Sequence, residues 1–149
     1  MLLIIALALH NFGVFGWYGQ TPIIIQYDHV THFIGMLAVA AMIYNILSFK
    51  FPKPSTKAVV IVTILATMGV GAFIEQIEFL GFLSFGEGDG LFYFGGAGDV
   101  GVGGFGQLEL PNFDAIGGGY INTLWDLTYN FLGAIAGTFL SKKRAQPKK

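Results

Sequence analysis

Apolar residues run along this chain in stretches too long for an ordinary amphipathic helix. Residues 58–74 are 17 consecutive uncharged, mostly apolar positions, and the stretch GVGAFIEQIEFLGF (69–82) then sets Glu75 and Glu78 three apart. A membrane-spanning helix needs about 20 mostly apolar residues, within a range of about 17–25. Four segments meet that length: about 2–18, about 28–49, about 58–82 and about 120–140. Gly13 and Gly16 interrupt the first. Between the second and third lies KFPKPSTK, where Pro52 and Pro54 remove backbone donors and break the helix. Between the third and fourth lies a long connection, 83–119, with 13 of the 22 glycines and five acidic residues. Connections of that length without regular structure are usually functional or disordered. LFYF (91–94) and VGVGGFG (100–106) are apolar for a solvated linker and predict a loop folded back onto the outer membrane face. The expected fold is all-α: four transmembrane helices in a bundle, a long Gly-rich outer loop between helices 3 and 4, and a basic tail over 141–149. All of it forms a single integral membrane domain over 1–149.

Composition agrees with that pattern. The chain has 149 residues, 54% hydrophobic and only 11% charged, against about 25% charged in ordinary soluble domains. Its mean hydropathy is +0.64. A soluble protein of this size has no room to hide so much apolar surface, so the lipid bilayer is the expected partner. The absence of cysteine excludes disulfides, thiolate metal sites and Cys nucleophiles. A net charge of −1 offers no basic face to a nucleic acid. The N-terminus MLLIIALALHNFG lacks a basic n-region and reads as a membrane helix, not a cleaved signal peptide.

Charge is distributed unevenly. All eight Lys and Arg fall in two places: Lys50, Lys53 and Lys57 in the short loop, and Lys142, Lys143, Arg144, Lys148 and Lys149 in the tail. Cytoplasmic loops carry the excess of Lys and Arg, so both places belong inside, separated by two spans. Counting the first helix, both termini are expected in the cytoplasm, in the cell (plasma or inner) membrane. The carboxylates lie toward the other side: Asp28, Glu75, Glu78, five in the outer loop, and Asp126 a few residues inside the fourth helix. Trp17, Tyr18, Tyr27, Tyr120 and Trp125 fit an aromatic belt at that outer interface.

Depth sharpens the polar pattern. At about 1.5 Å per helical residue, His32 stands roughly 25 Å above Phe49, Glu75 roughly 25 Å above Ala58 and Asp126 roughly 21 Å above Leu140. Three helices thus bring ionisable groups to one level. Asp28 and His32 are i,i+4, Glu75 and Glu78 are i,i+3, and Asn122, Asp126 and Asn130 form an i,i+4,i+8 stripe. Charges in hydrocarbon are costly and normally face a bundle interior or a wet cavity, where they pair. The expectation is one polar site open to the outer face, with Asp28, His32, Glu75, Glu78 and Asp126 as candidate ligands and a divalent metal ion as candidate cofactor. The same cluster suits proton exchange, because crowded carboxylates hold protons more tightly.

Plainer roles compete with this one. Glu78 near the interface suits simple solvation. Asp28 suits an N-cap of the second helix, with His29 beside it in the headgroups. His32 suits a satisfied core histidine, and Asp126 with Asn130 suits interhelical hydrogen-bond glue of about 0.6–2 kcal/mol. His10, alone in the first helix, reads as structural. GAIAG (133–137) is a GxxxG pair for close packing, within the bundle or in a homo-oligomer. GGAGDVGVGG occurs once and out of calcium-repeat register, and lacks the GK[ST] of a phosphate loop.

Three pieces together carry a likeness: YDHVTHF (27–33), GAFIEQIEF (71–79) and YINTLWDLTYNFLGAIAG (120–137). Their order and spacing resemble the YjdF-like family of small inner-membrane proteins, and more distantly the VanZ-like family. The resemblance implies a multi-helix membrane protein and picks out Asp28, His32, Phe33, Glu75, Glu78, Asp126 and Gly133. Asn122 departs from it, standing where the family often has an acidic residue. Three functions remain open at this level. They are ion or proton handling, a metal-dependent membrane enzyme acting on lipid or envelope substrates, and a structural or assembly subunit of a larger membrane complex.

Overall fold

The computed structural model describes residues 1–17, 27–51, 55–85 and 117–145. Among them the chain is entirely helical: α1 (Leu2–Phe12) running into a π-helical turn (Gly13–Trp17), then α2 (Tyr27–Lys50), α3 (Thr56–Phe85) and α4 (Gly117–Ala145). The segment expected over 2–18 therefore splits at Gly13. Without Cβ atoms, Gly13 and Gly16 hold regular α geometry weakly, and the ladder loosens there. The segment expected over 58–82 runs longer, to Thr56 and Phe85, and the one expected over 120–140 runs from Gly117 to Ala145. The glycine triplet 117–119 thus opens a helix instead of closing a loop. The rest of the expected loop, 86–116, lies outside the described residues.

Two helices, α2 and the Thr56–Glu78 part of α3, are long and apolar enough to cross a membrane. Side-chain placement fits a lipid solvent. The most deeply buried large side chains are Asn130, Thr63, Thr67, Thr138 and Asp126, while Ile61, Leu65, Phe73 and Phe131 are 45–66% exposed. A water-soluble protein sorts these the other way round. In hydrocarbon the apolar groups face outward at no cost and the polar ones need the interior. Thr67 and Thr138 donate to the carbonyls of Thr63 and Ala134 one turn back, each at 2.7 Å, which lets hydroxyls sit inside a dry helix pair.

The helices pack as an interior of α2, α3 and α4, with α4 most extensively against α2, and α1 laid against α2. A Cβ on Gly133 would meet Phe33 O and Leu37 N, and one on Gly137 would meet Leu37 O and Ala40 Cβ. The register advances the same way on both helices, so α2 and α4 run parallel, backbone to backbone across the GxxxG pair. This assigns GAIAG to an internal contact. Six residues after Lys50, α3 begins and returns antiparallel, its buried positions falling at every fourth residue: Val59, Thr63, Thr67, Gly71 and Glu75. Such i±4 rows are the ridges by which helices interdigitate. A Cβ on Gly71 would lie 2.9 Å from Asn130 Nδ2, which shows how closely α3 meets α4 at the level of the polar site.

Candidate functional site

Three helices converge at the end of the bundle away from the lysines. Asp28 lies in the first turn of α2, and the helix already begins at Tyr27. Asp28 is thus inside the helix and only 5% exposed, not a solvated cap. Thr31 Oγ1 donates to Asp28 O at 2.7 Å and approaches Asp28 Oδ1 at 3.4 Å. One turn on, His32 becomes the hub. Its Nε2 is 3.3 Å from Asp28 Oδ1 and 3.9 Å from Asp126 Oδ1, while its Nδ1 is 3.4 Å from Glu75 Oε1 and 3.1 Å from Asn130 Oδ1. Asn130 Nδ2 donates to Glu75 Oε1 at 3.4 Å.

These contacts favour one tautomer of the ring. Asn130 gives its NH₂ to Glu75, so its carbonyl oxygen faces His32 Nδ1. Two acceptors at Nδ1 require Nδ1–H, which donates to Asn130 Oδ1. In the neutral imidazole that leaves a bare lone pair on Nε2, pointed at two carboxylate oxygens. Lone pair against carboxylate is repulsive, more so in a low-dielectric interior. The arrangement is balanced only when a cation, a proton or a metal ion, sits between them.

Of the five candidate ligands, Asp28, His32 and Asp126 form one set whose ligand atoms lie within 4.8 Å of one another, and His32, Glu75 and Glu78 form a second. Glu75 is buried at 5% exposure, whereas Glu78 is half-buried one turn farther along α3. The side chain of Asn122 lies outside the described residues, and so does the 86–116 loop with its five acidic residues. His10, on α1, is exposed but remains within electrostatic reach of Asp28 and His32.

Two groups at the site escaped the sequence reading. His29, assigned above to the headgroups, is buried at 5% exposure, with Nε2 4.0 Å from Asp126 Oδ1. Tyr129 stacks on its ring, with centroids 4.5 Å apart and an interplanar angle of 11°. Trp125, expected in an interfacial belt, is 37% exposed and flanks the same imidazole at 6.1 Å. The signal was present as Trp125 and Tyr129, one helical turn apart on α4, but nothing in the sequence says which α2 residue they meet.

The family described as predicted membrane protein (DUF2238) matches residues 1–146. The chain belongs to this family. A DUF2238 identity is consistent with the YjdF-like resemblance carried by YDHVTHF, GAFIEQIEF and the final-helix motif. It agrees with the outward apolar faces of α2 and α3, and it makes the DUF2238 chain a membrane protein without naming a reaction. No curated protein and no solved structure gives a significant match.

Proposed function

We propose that this protein is a multi-pass membrane protein that binds and handles a divalent cation between Asp28, His32 and Asp126. All four helices cross the bilayer as one domain, with both termini and all the lysines cytoplasmic and the site within the outer leaflet of the cell membrane. The positive-inside bias supports that orientation. One observation carries the reading: Nδ1 of His32 is held by Glu75 and Asn130, while Nε2 faces two carboxylate oxygens across a gap that a cation would balance. A metal-ligating histidine almost always has its other nitrogen held by a carboxylate or carbonyl, which fixes the tautomer and raises its basicity. Glu75 and Asn130 act in that supporting role. Glu78, adjoining Glu75, lines the approach from the outer face.

Metal analysis of the full chain purified in detergent tests this. One divalent ion per chain is expected, and near-complete loss in His32→Ala. An ion present at 100 times its Kd adds about 2.7 kcal/mol to stability, so unfolding midpoints should rise on metal addition. Folded protein that neither retains metal nor gains stability from it would overturn the reading.

A second reading is favoured by the same ring. Glu75, His32 and Asp28 form a continuous chain in which His32 takes up a proton at one nitrogen and releases another from the other, and its tautomer resets before the next transfer. Proton flux through metal-free protein in vesicles, lost in Glu75→Gln, distinguishes it.

A further inference from the structure

His29 has no role in the arrangement described so far, and its surroundings do not satisfy it. Its side chain is 6% exposed, and neither ring nitrogen has a hydrogen-bond partner. A buried polar group left unmatched costs about 1–3 kcal/mol. The ring is nonetheless held firmly, face to face with Tyr129 and flanked by Trp125. Its Nε2 edge lies 4.0 Å from Asp126 Oδ1, too far for a hydrogen bond and close to the spacing of two ligands on one ion.

We propose that His29 binds the cation through Nε2, so that Asp28, His29, His32 and Asp126 form a four-donor site of two imidazoles and two carboxylates for a divalent transition metal. This rests on the reading that a cation occupies the site, and it names the class of ion. Two imidazoles suit zinc, iron, copper or nickel, whereas magnesium and calcium take all-oxygen shells. Tetrahedral zinc with bonds of about 2.0–2.1 Å spaces its ligand atoms by about 3.3 Å. His32 Nε2 and Asp28 Oδ1 already stand 3.3 Å apart. The Asp126 separations from His32 and His29 are 3.9 and 4.0 Å. The ligand atoms of Asp28, His32 and Asp126 already lie within 4.8 Å of one another, whereas His29 stands outside that group, so its ring must move toward Asp28 and His32 as the ion binds. His29 and His32 come from neighbouring positions of one helix and Asp28 from the position before, so a single turn of α2 supplies three donors and α4 the fourth. Glu75 and Asn130 orient His32. For His29 the Tyr129 stack fixes the ring plane, while Nδ1 has no protein acceptor, so metal binding relieves only the Nε2 half of the desolvation cost.

Cobalt(II) titration of the full-length protein in detergent, with visible absorption, tests the assignment. Wild type should take up one cobalt and show the intense bands of a four-coordinate ion. His29→Phe keeps the stack on Tyr129 and removes the nitrogen. It should lose those bands and bind more weakly by more than the about 10–100-fold that loss of a supporting residue costs. X-ray absorption on the zinc-loaded wild type needs no variant and should count two imidazoles per metal. A metal-loaded wild type with one imidazole, or a His29→Phe protein with unchanged spectrum and affinity, overturns the His29 assignment and leaves the cation site standing. A folded wild type that binds no metal overturns both.

Discussion

Replacing Gly133 with alanine tests what holds the site together. Its Cβ would fall against the backbone of α2 at two points, Phe33 O and Leu37 N, the latter at 3.1 Å. Carbonyls inside a helix do not swing aside, so α2 and α4 must part by about 1 Å to restore ordinary van der Waals contact. Overpacking of this kind costs about 1–3 kcal/mol. Alanine returns about 1 kcal/mol as a better helix former, leaving a net loss of up to about 2 kcal/mol. Gly69 is the built-in control. Nothing lies within 4 Å of a Cβ there, so Gly69→Ala keeps only the favourable part, up to about 1 kcal/mol. The two substitutions are chemically identical and opposite in expected sign. Reversible unfolding in mixed detergent micelles, followed by circular dichroism, measures both. Gly133 also lies seven residues from Asp126 on α4, about 10 Å along the axis, so parting the helices widens the 3.9 Å gap from His32 to Asp126 and lowers metal affinity as well. A Gly133→Ala protein as stable as wild type would refute the backbone-contact argument, whatever Gly69→Ala does.

Other substitutions separate binding from folding. Glu75→Gln keeps the shape but removes the charge that holds His32 Nδ1–H, and should weaken metal binding about 10–100-fold by titration calorimetry; unchanged affinity would remove Glu75 from the supporting role. Gly71→Ala would press on the whole buried Asn130 side chain, Nδ2 at 2.9 Å, Cγ at 3.2 Å and Cβ at 3.3 Å, displacing its amide from Glu75; a loss of affinity near 10-fold together with a loss of stability of about 1–3 kcal/mol is expected, and unchanged affinity would contradict it. Thr63→Val removes a hydroxyl that is fully buried without a partner; the unfolding midpoint should rise, corresponding to about 1 kcal/mol, and a fall of that size would mean that the hydroxyl makes a bond.

The polar side of this fold was legible where helical periodicity and depth sufficed. Asp28 with His32, and Asp126 with Asn130, follow from four-residue spacing. The level shared by His32, Glu75 and Asp126 follows from counting rises along each helix. What sequence could not supply was rotation between helices. His29 is about 100° around α2 from Asp28, and only the close approach of α4 at Gly133 turns that second face inward onto Tyr129. The threonines were overlooked because Thr is neutral on hydropathy; burial of Thr63, Thr67 and Thr138 becomes visible only once the four-residue ridges are seen to interlock. Glycine patterns misled in one place, since three glycines at 117–119 read as loop yet open α4.

The parallel pairing of α2 with α4 sets an order of events during synthesis. His32 and Asn130 are 98 residues apart in the chain, and Asn130 and Glu75 are 55 apart. On the proposed four-span topology, the ribosome delivers Asp28, His32 and Glu75 to the bilayer before the helix carrying Asp126 and Asn130 has been made. Each charged group at mid-helix adds about 2.5–3.5 kcal/mol to the cost of insertion. Until α4 arrives, α1, α2 and α3 must shield the polar face without the helix that covers α2 most extensively. On that topology, a chain halted between α3 and α4 would display that face to the membrane, open to quality-control proteases and chaperones. The final helix is in this sense the closing piece of biogenesis, and the step at which the nascent chain stops being a target for surveillance.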